Sequence, residues 1–164
     1  MPDGSFAPQS FQACVRTPFA TLGITATDTH VTGIRFLPPS VAGKAPKRNT
    51  IAFLACVQLQ AYLEDARFEF DLPLKLAGTH HRLAVWEAMQ RIPAGRTRTY
   101  GELAAELRSS ARAVGGACGA NPIPVVVPCH RVIASAGLGG FMGSREEGFE
   151  LGIKRWLLEH EGAI

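Results

Sequence analysis

Pro124-Val125-Val126-Val127-Pro128-Cys129-His130-Arg131-Val132-Ile133 is the stretch on which the reading of this chain turns. Three consecutive β-branched residues between two prolines predict a short strand buried on both faces, because valine packs well on a pleated surface and proline cannot sit in mid-sheet. The strand should stop at Pro128. On an extended strand Cys129 and His130 would point to opposite faces; in a turn or a first helical turn, for which Pro128 is suited, they can share one. A thiol beside an imidazole is then a nucleophile beside a base. A cysteine at its ordinary pKa of about 8.5 is only a few per cent thiolate at neutral pH, and His130 and Arg131 are expected to raise that fraction. Against this stands the usual fate of a lone cysteine, which is to be a small buried hydrophobe.

A chain of 164 residues holds one ordinary domain or two small ones. With 46% hydrophobic and 19% charged residues it reads as globular. It has neither an 18-residue apolar run nor a start of signal-peptide form, so a cytoplasmic or nucleoid-associated protein without membrane contact is expected. Cys14, Cys56, Cys118 and Cys129 show no CxxC pair and no zinc spacing, which predicts reduced thiols and no metal, with the first three in the core. A net charge of +3 does not announce a nucleic-acid partner. Between residues 91 and 131, however, Arg91, Arg96, Arg98, Arg108, Arg112 and Arg131 face only Glu102 and Glu106. Such an excess fits phosphate contact or a solvated helical surface equally well.

The fold class expected is α/β. Residues 11–16, 19–25 and 31–37 read as a meander of strands, and 38–48 as a loop, the least structured stretch after the extreme N-terminus. Residues 50–65 read as an amphipathic helix with Ile51, Leu54, Val57, Ala61 and Tyr62 on its apolar face. An extended link follows at 70–76. The second half opens with a helix carrying Leu83, Trp86 and Met89 or Gln90 and ending before Pro93, where His80-His81 is a weak metal suggestion. Thr99-Tyr100-Gly101-Glu102 has the form of a capping box, starting a helix that runs to Leu107. Ser109-Ser110 makes a turn and a second cap, and 111–120 forms another helix, giving a helix-turn-helix. That second helix carries small residues and two adjacent glycines, which cost helix stability. They serve either tight internal packing or close approach by a partner. The glycine-rich run at 137–143 lacks a phosphate-loop pattern and reads as a surface loop. A last helix at 152–161 should point Ile153, Trp156 and Leu157 inward, and Glu161 taken alone reads as a solvated helix end.

Two motifs in this order, Ala111-Arg112-Ala113-Val114-Gly115-Gly116-Ala117 and Pro128-Cys129-His130-Arg131-Val132, resemble those of the O6-alkylguanine-DNA alkyltransferases. The resemblance is dense over 78–162 and loose over 10–75. It implies a ribonuclease-H-like α/β domain over 1–75, then a mostly helical domain over 76–164 with a winged helix-turn-helix-like DNA-binding motif. It implies a methylated-DNA–protein-cysteine S-methyltransferase that flips O6-alkylguanine out of double-stranded DNA and moves the alkyl group, once and irreversibly, onto Cys129. Such a protein acts as a monomer and needs no cofactor. By position, His130 matches the base, Glu161 the carboxylate that orients it, and Asn121 the residue joining the DNA-binding helix to the active-site loop. Tyr100, Arg112, Ala113, Gly115, Gly116 and Arg131 match DNA-binding and base-flipping positions, with Arg112 filling the gap left by the extruded nucleotide. Pro124, Val132, Phe141, Met142 and Gly143 match the substrate pocket. Three departures stand out: Phe141 replaces a common tyrosine, His81-Arg82 replaces a common Phe-Gln pair, and 144–151 is longer than usual. The rival readings are a non-enzymatic sensor of alkylated bases, a cysteine hydrolase and a transcriptional regulator.

Overall fold

The computed structural model describes residues 11–164, and the chain forms two compact units divided between Leu76 and Ala77. The expectation of an unstructured extreme N-terminus lies outside the described residues.

In the first unit β1 (Ala13–Arg16), β2 (Thr21–Ala26) and β3 (Val31–Leu37) form an antiparallel sheet in chain order, the meander expected. Thr17 turns the chain between β1 and β2, its hydroxyl donating to Ala20 O (2.7 Å) and accepting from the amides of Phe19 and Ala20. Gly23 is glycine for a packing reason: a Cβ there would lie 2.7 Å from the Phe11 ring. The 38–48 loop is tied down by paired backbone hydrogen bonds between Cys14 and Lys44 and by the Thr21 hydroxyl donating to Val41 O.

Helix α1 (Ile51–Glu64) is capped by Thr50, whose hydroxyl accepts from Phe53 N. Its buried face is the expected one only at Tyr62. Ala52, Ala55, Gln58, Leu59 and Tyr62 are buried, whereas Leu54 and Val57 are 38% and 50% exposed. Small alanines let the helix lie close on the sheet, and that close approach outweighs the larger area of Leu54 and Val57. The buried Gln58 clamps the extended link, donating to Asp71 O and accepting from Asp71 N. The link runs beside β3, with a parallel bridge from Val31 to Leu74.

The second unit contains α2 (His80–Gln90), β4 (Arg98–Thr99), α3 (Tyr100–Leu107), α4 (Ala111–Gly119), a single 3-10 turn (Cys129–Arg131), β5 (Val132–Ile133) and α5 (Phe149–His160). Both arms of the Thr99–Glu102 capping box are present at the start of α3. Arg108 in the left-handed region ends that helix, and Ser110 caps α4 by accepting from Ala113 N. Pairing of β4 with β5 in parallel ties the entry of α3 to the exit of the Cys129 turn. Val85, Trp86, Met89, Leu103, Val114 and Leu157 form much of the interior, and Trp86 Nε1 donates to Ala117 O (2.8 Å), joining α2 to α4.

On α2 the buried residues are Val85, Trp86, Ala88 and Met89, with Leu83 38% exposed. Two expectations are corrected here. Trp156 is only partly buried and stacks on His160, with ring centroids 4.8 Å apart. The valines of 125–127 form no strand. Val127 N donates to Ile123 O, Val125 takes a φ of 75°, and Pro122, Pro124 and Pro128 remove the donors a ladder would need. Val125 and Val127 are nevertheless buried, so the run supplies apolar bulk as a turn. No helix among the described residues is long and apolar enough to cross a membrane.

Candidate active site

The turn after α4 is held by Asn121, which is 3% exposed: its amide donates to Val127 O (2.7 Å) and its oxygen accepts from Ile123 N (3.0 Å). The residue following the helix C-cap therefore fixes the loop that delivers Cys129. Cys129 opens the 3-10 turn and is 2% exposed, with Sγ 3.9 Å from Met142 Sδ. The expectation that its neighbours make it acidic is overturned. Burial raises the thiol to about 11, against the opposing pull of an Asn121 hydrogen bond and the Lys154 charge. Arg131 gives no such help, because it is turned elsewhere.

Behind the thiol lies a buried carboxylate. Glu161, read from sequence as a helix end, is 7% exposed. His130 Nε2 lies 2.8 Å from its Oε2, and Arg131 adds hydrogen bonds from Nε to Oε1 and from Nη2 to Oε2, each 2.9 Å. Burial alone would raise this carboxyl, but the His130 and Arg131 hydrogen bonds prevail and hold it well below the carboxylate range. An ionised Glu161 only accepts, so the Nε2 proton is fixed and Nδ1 keeps its lone pair. Burial also lowers the imidazole pKa, against the pull of Glu161, keeping His130 neutral. Nδ1 is buried and has no hydrogen-bond partner in the protein, so its lone pair is free to accept a proton.

Arg131, expected at the DNA, spends Nε and Nη2 on Glu161 and Nη1 on Ile92 O (2.6 Å). With a side chain only 12% exposed it is a positioning residue here. Arg91 and Arg98 are likewise occupied, both pairing with Glu106. Of the six arginines read as a basic surface, Arg96, Arg108 and Arg112 carry no ion pair among the described residues.

Lys154 is the functional residue that sequence reading missed. Fully buried on α5, its Nζ donates to Val132 O (2.7 Å) and Gly140 O (2.8 Å) and approaches the Tyr100 hydroxyl at 3.4 Å. One ammonium thus gathers the Cys129 turn, the glycine-rich loop and the start of α3. Burial lowers its pKa to about 8. The signal that could have found it is a lysine one position after an inward Ile153, a place where a solvated helix face is the usual reading. Lys154→Met should cost about 2 kcal/mol, since two carbonyls lose a charged donor while the cation's desolvation is relieved. The folded pKa lies below the unfolded value of about 10.4, so the unfolded chain binds more protons between pH 8 and 10.4. This group therefore makes stability rise with pH across that window, and the variant should flatten that slope in denaturant titrations.

A groove of about 980 Å³ lies in front of these residues, lined by Tyr100, Arg112, Gly115, Gly119, Phe141 and Arg145 among others. It bears on the question left open for α4. Val114, Ala117 and Cys118 face the core, while a Cβ at Gly115 or Gly116 would meet nothing within 4 Å. Those two glycines do not serve internal packing. Ala113 and Arg112 share the exposed side. Tyr100 donates to Gly140 O (3.2 Å), and its ring passes so close to Gly139 (φ 75°) that a Cβ there would lie 2.8 Å away. Pro124 is buried in the 122–128 turn, and Phe141 is buried in the glycine-rich loop. The Val132 carbonyl already accepts from Lys154 and keeps one lone pair. His81 bonds Ser109 Oγ, and no metal cluster exists among the described residues.

The family model of the 6-O-methylguanine DNA methyltransferase DNA-binding domain matches residues 80–163. The chain belongs to this family. It is 42% identical over 137 residues to the methylated-DNA–protein-cysteine methyltransferase of Mycolicibacterium paratuberculosis, covering 79% of this chain and 82% of that protein. It is 41% identical over 136 residues to the DNA base-flipping protein of Thermus thermophilus, covering 80% and 88%. Among solved structures, the Mycobacterium tuberculosis O6-methylguanine methyltransferase superimposes with a TM-score of 0.76 at 35% identity, over 92% of this chain and 91% of that one. The mixed α/β architecture is thus that of the family.

Proposed function

We propose that this chain is a direct-reversal DNA repair protein that accepts the alkyl group of O6-alkylguanine from double-stranded DNA onto Cys129. The buried Cys129 beside the His130–Glu161 pair carries the reading, since it is a thiol with a base and an orienting carboxylate behind it. His130 Nδ1 takes the thiol proton, through one water. The thiolate attacks the alkyl carbon in line, forming the S–C bond as the C–O6 bond breaks, and the proton ends on the departing guanine. The exchange balances without a metal or cofactor. The thioether has no route back, so each molecule acts once. A thiol pushed to about 11 stays protonated and guarded until this proton transfer.

The reactive carbon lies inside a duplex, so the nucleotide must be extruded at a cost of a few kcal/mol. The open face of Ala113, Gly115 and Gly116 suits close approach along the minor groove, and Arg112 at the groove fills the gap. Tyr100, whose hydroxyl burial holds at about 12, keeps its proton and turns it from Gly140 O to the leaving base. Backbone carbonyls of Cys129 and Val132 take the exocyclic amine, and Pro124, Phe141, Met142 and Gly143 surround the alkyl group. Three antiparallel strands under α1 with a parallel edge support a ribonuclease-H-like first unit of structural role, and α3–α4 beside the β4–β5 pair support the winged helix-turn-helix description. The protein acts as a monomer in the cytoplasm.

Intact-protein mass spectrometry after incubation with duplex DNA bearing one O6-methylguanine should show one added methyl group and never a second at this site. A second reading, a sensor that flips and flags the base without transfer, is favoured by the similarity to the Thermus thermophilus base-flipping protein. Lesion binding by a protein of unchanged mass would select it.

A further inference from the structure

The thiol that must meet the alkyl group does not line the groove, whereas Phe141 and Gly143 do. Between those two stands Met142. Phe141 and Ser144 exchange both backbone hydrogen bonds (2.7 and 2.9 Å), and the residues between them, Met142 and Gly143, have φ of 52° and 85°. Positive φ at both central positions is the pattern of a type I′ turn, which favours Asn-Gly. Gly143 obeys that preference. Met142 does not: an unbranched L side chain in the left-handed region carries a strain of roughly 1–2 kcal/mol. A local rule broken this way calls for a compensating use of the side chain, and the one contact of the Met142 thioether that stands out is with Sγ of Cys129, at 3.9 Å.

We infer that Met142 is a cap over the acceptor thiol whose bulk sets the upper size of the group that Cys129 can receive. This deepens the proposed function and rests on it for the identity of the alkyl donor. Methionine suits the task, being long enough to reach the sulfur from the loop and flexible enough to yield to a methyl group. A larger group must displace the whole side chain. A hydrophobic wall of this kind discriminates by about 10–200-fold per misfit group.

Two substitutions separate the cap from the turn. Met142→Asn restores the residue type that the turn favours while shortening the side chain, so the loop should hold and melting temperature should stay equal or rise. Met142→Leu keeps the bulk and removes the sulfur. Cys129 is labelled with iodoacetamide and with its N-benzyl derivative, and the site is identified by peptide mapping. The same proteins are also given duplex DNA with O6-methylguanine or O6-benzylguanine. In Met142→Asn the benzyl-to-methyl rate ratio on DNA and the bulky-to-small labelling ratio should each rise at least tenfold; in Met142→Leu both should stay within threefold of the parent. Ratios unchanged in Met142→Asn, or moved equally in Met142→Leu, overturn the cap. If the labelling ratio moves while the parent protein gains no methyl from DNA, the cap stands and the alkyl-transfer reading falls.

Discussion

Cys129→Ser should fold, bind the lesion and gain no mass at all from O6-methylguanine DNA. The substitution replaces sulfur by a smaller, much less acidic oxygen. His130, neutral and buried, can assist a thiol whose pKa stands near 11 but cannot generate an alkoxide, so loss of transfer should be complete. Folding should suffer little. Burying a hydroxyl costs about 1–3 kcal/mol when unpartnered, and the Asn121 amide that favours the thiolate is at hand to offset it. Lesion binding, measured by fluorescence anisotropy on a labelled duplex, should remain near the parent value, because the groove is lined by α4 and the glycine-rich loop rather than by Cys129. A methyl group gained by this variant would remove Cys129 from its role.

Glu161→Gln should be the most damaging change that leaves the thiol in place. Arg131 directs two nitrogens at this carboxylate and His130 a third. An amide supplies neither the charge nor the two acceptors. Breaking a buried pair on one side costs about 3–5 kcal/mol, which for a chain of this length means a fall of roughly 10 °C in melting temperature. The chemistry should fall further, by about 10³-fold in single-turnover rate. A glutamine amide donating to Nε2 moves the imidazole proton to Nδ1 and deprives the thiol of its base. The pH dependence carries the signature. Because the folded carboxyl lies below its unfolded pKa of about 4.3, its contribution is fully present above pH 5 and is lost as pH falls through the folded value. The stability gap between parent and variant should therefore be widest near neutrality and narrow below pH 4. A gap independent of pH would mean that Glu161 acts by shape alone.

What the sequence disclosed was local. The capping box of Thr99 and Glu102, the strands of 11–37 and the turn geometry of Cys129 each depend on residues a few positions apart, and these were legible. The face of α1 was not, because choosing Ala52 and Ala55 over Leu54 and Val57 depends on how near the sheet lets the helix come. The valine run misled for a related reason: β-propensity describes a pleated surface, and three prolines left no ladder to join. Arg131 and Lys154 were misread or missed because a long cation is ordinarily solvated, and only the folded chain shows that each has buried acceptors waiting. The family resemblance located Glu161, which no local pattern would have separated from a frayed helix end.

Helix α4 carries one more consequence. With open space beside Gly115 and Gly116, alanine at both would strengthen the helix by about 2 kcal/mol, an improvement the native fold gives no reason to refuse. Under the proposed function that unclaimed gain has a use: a bare ridge leaves room for a DNA backbone, and the helix is softest where it would fit another molecule most closely.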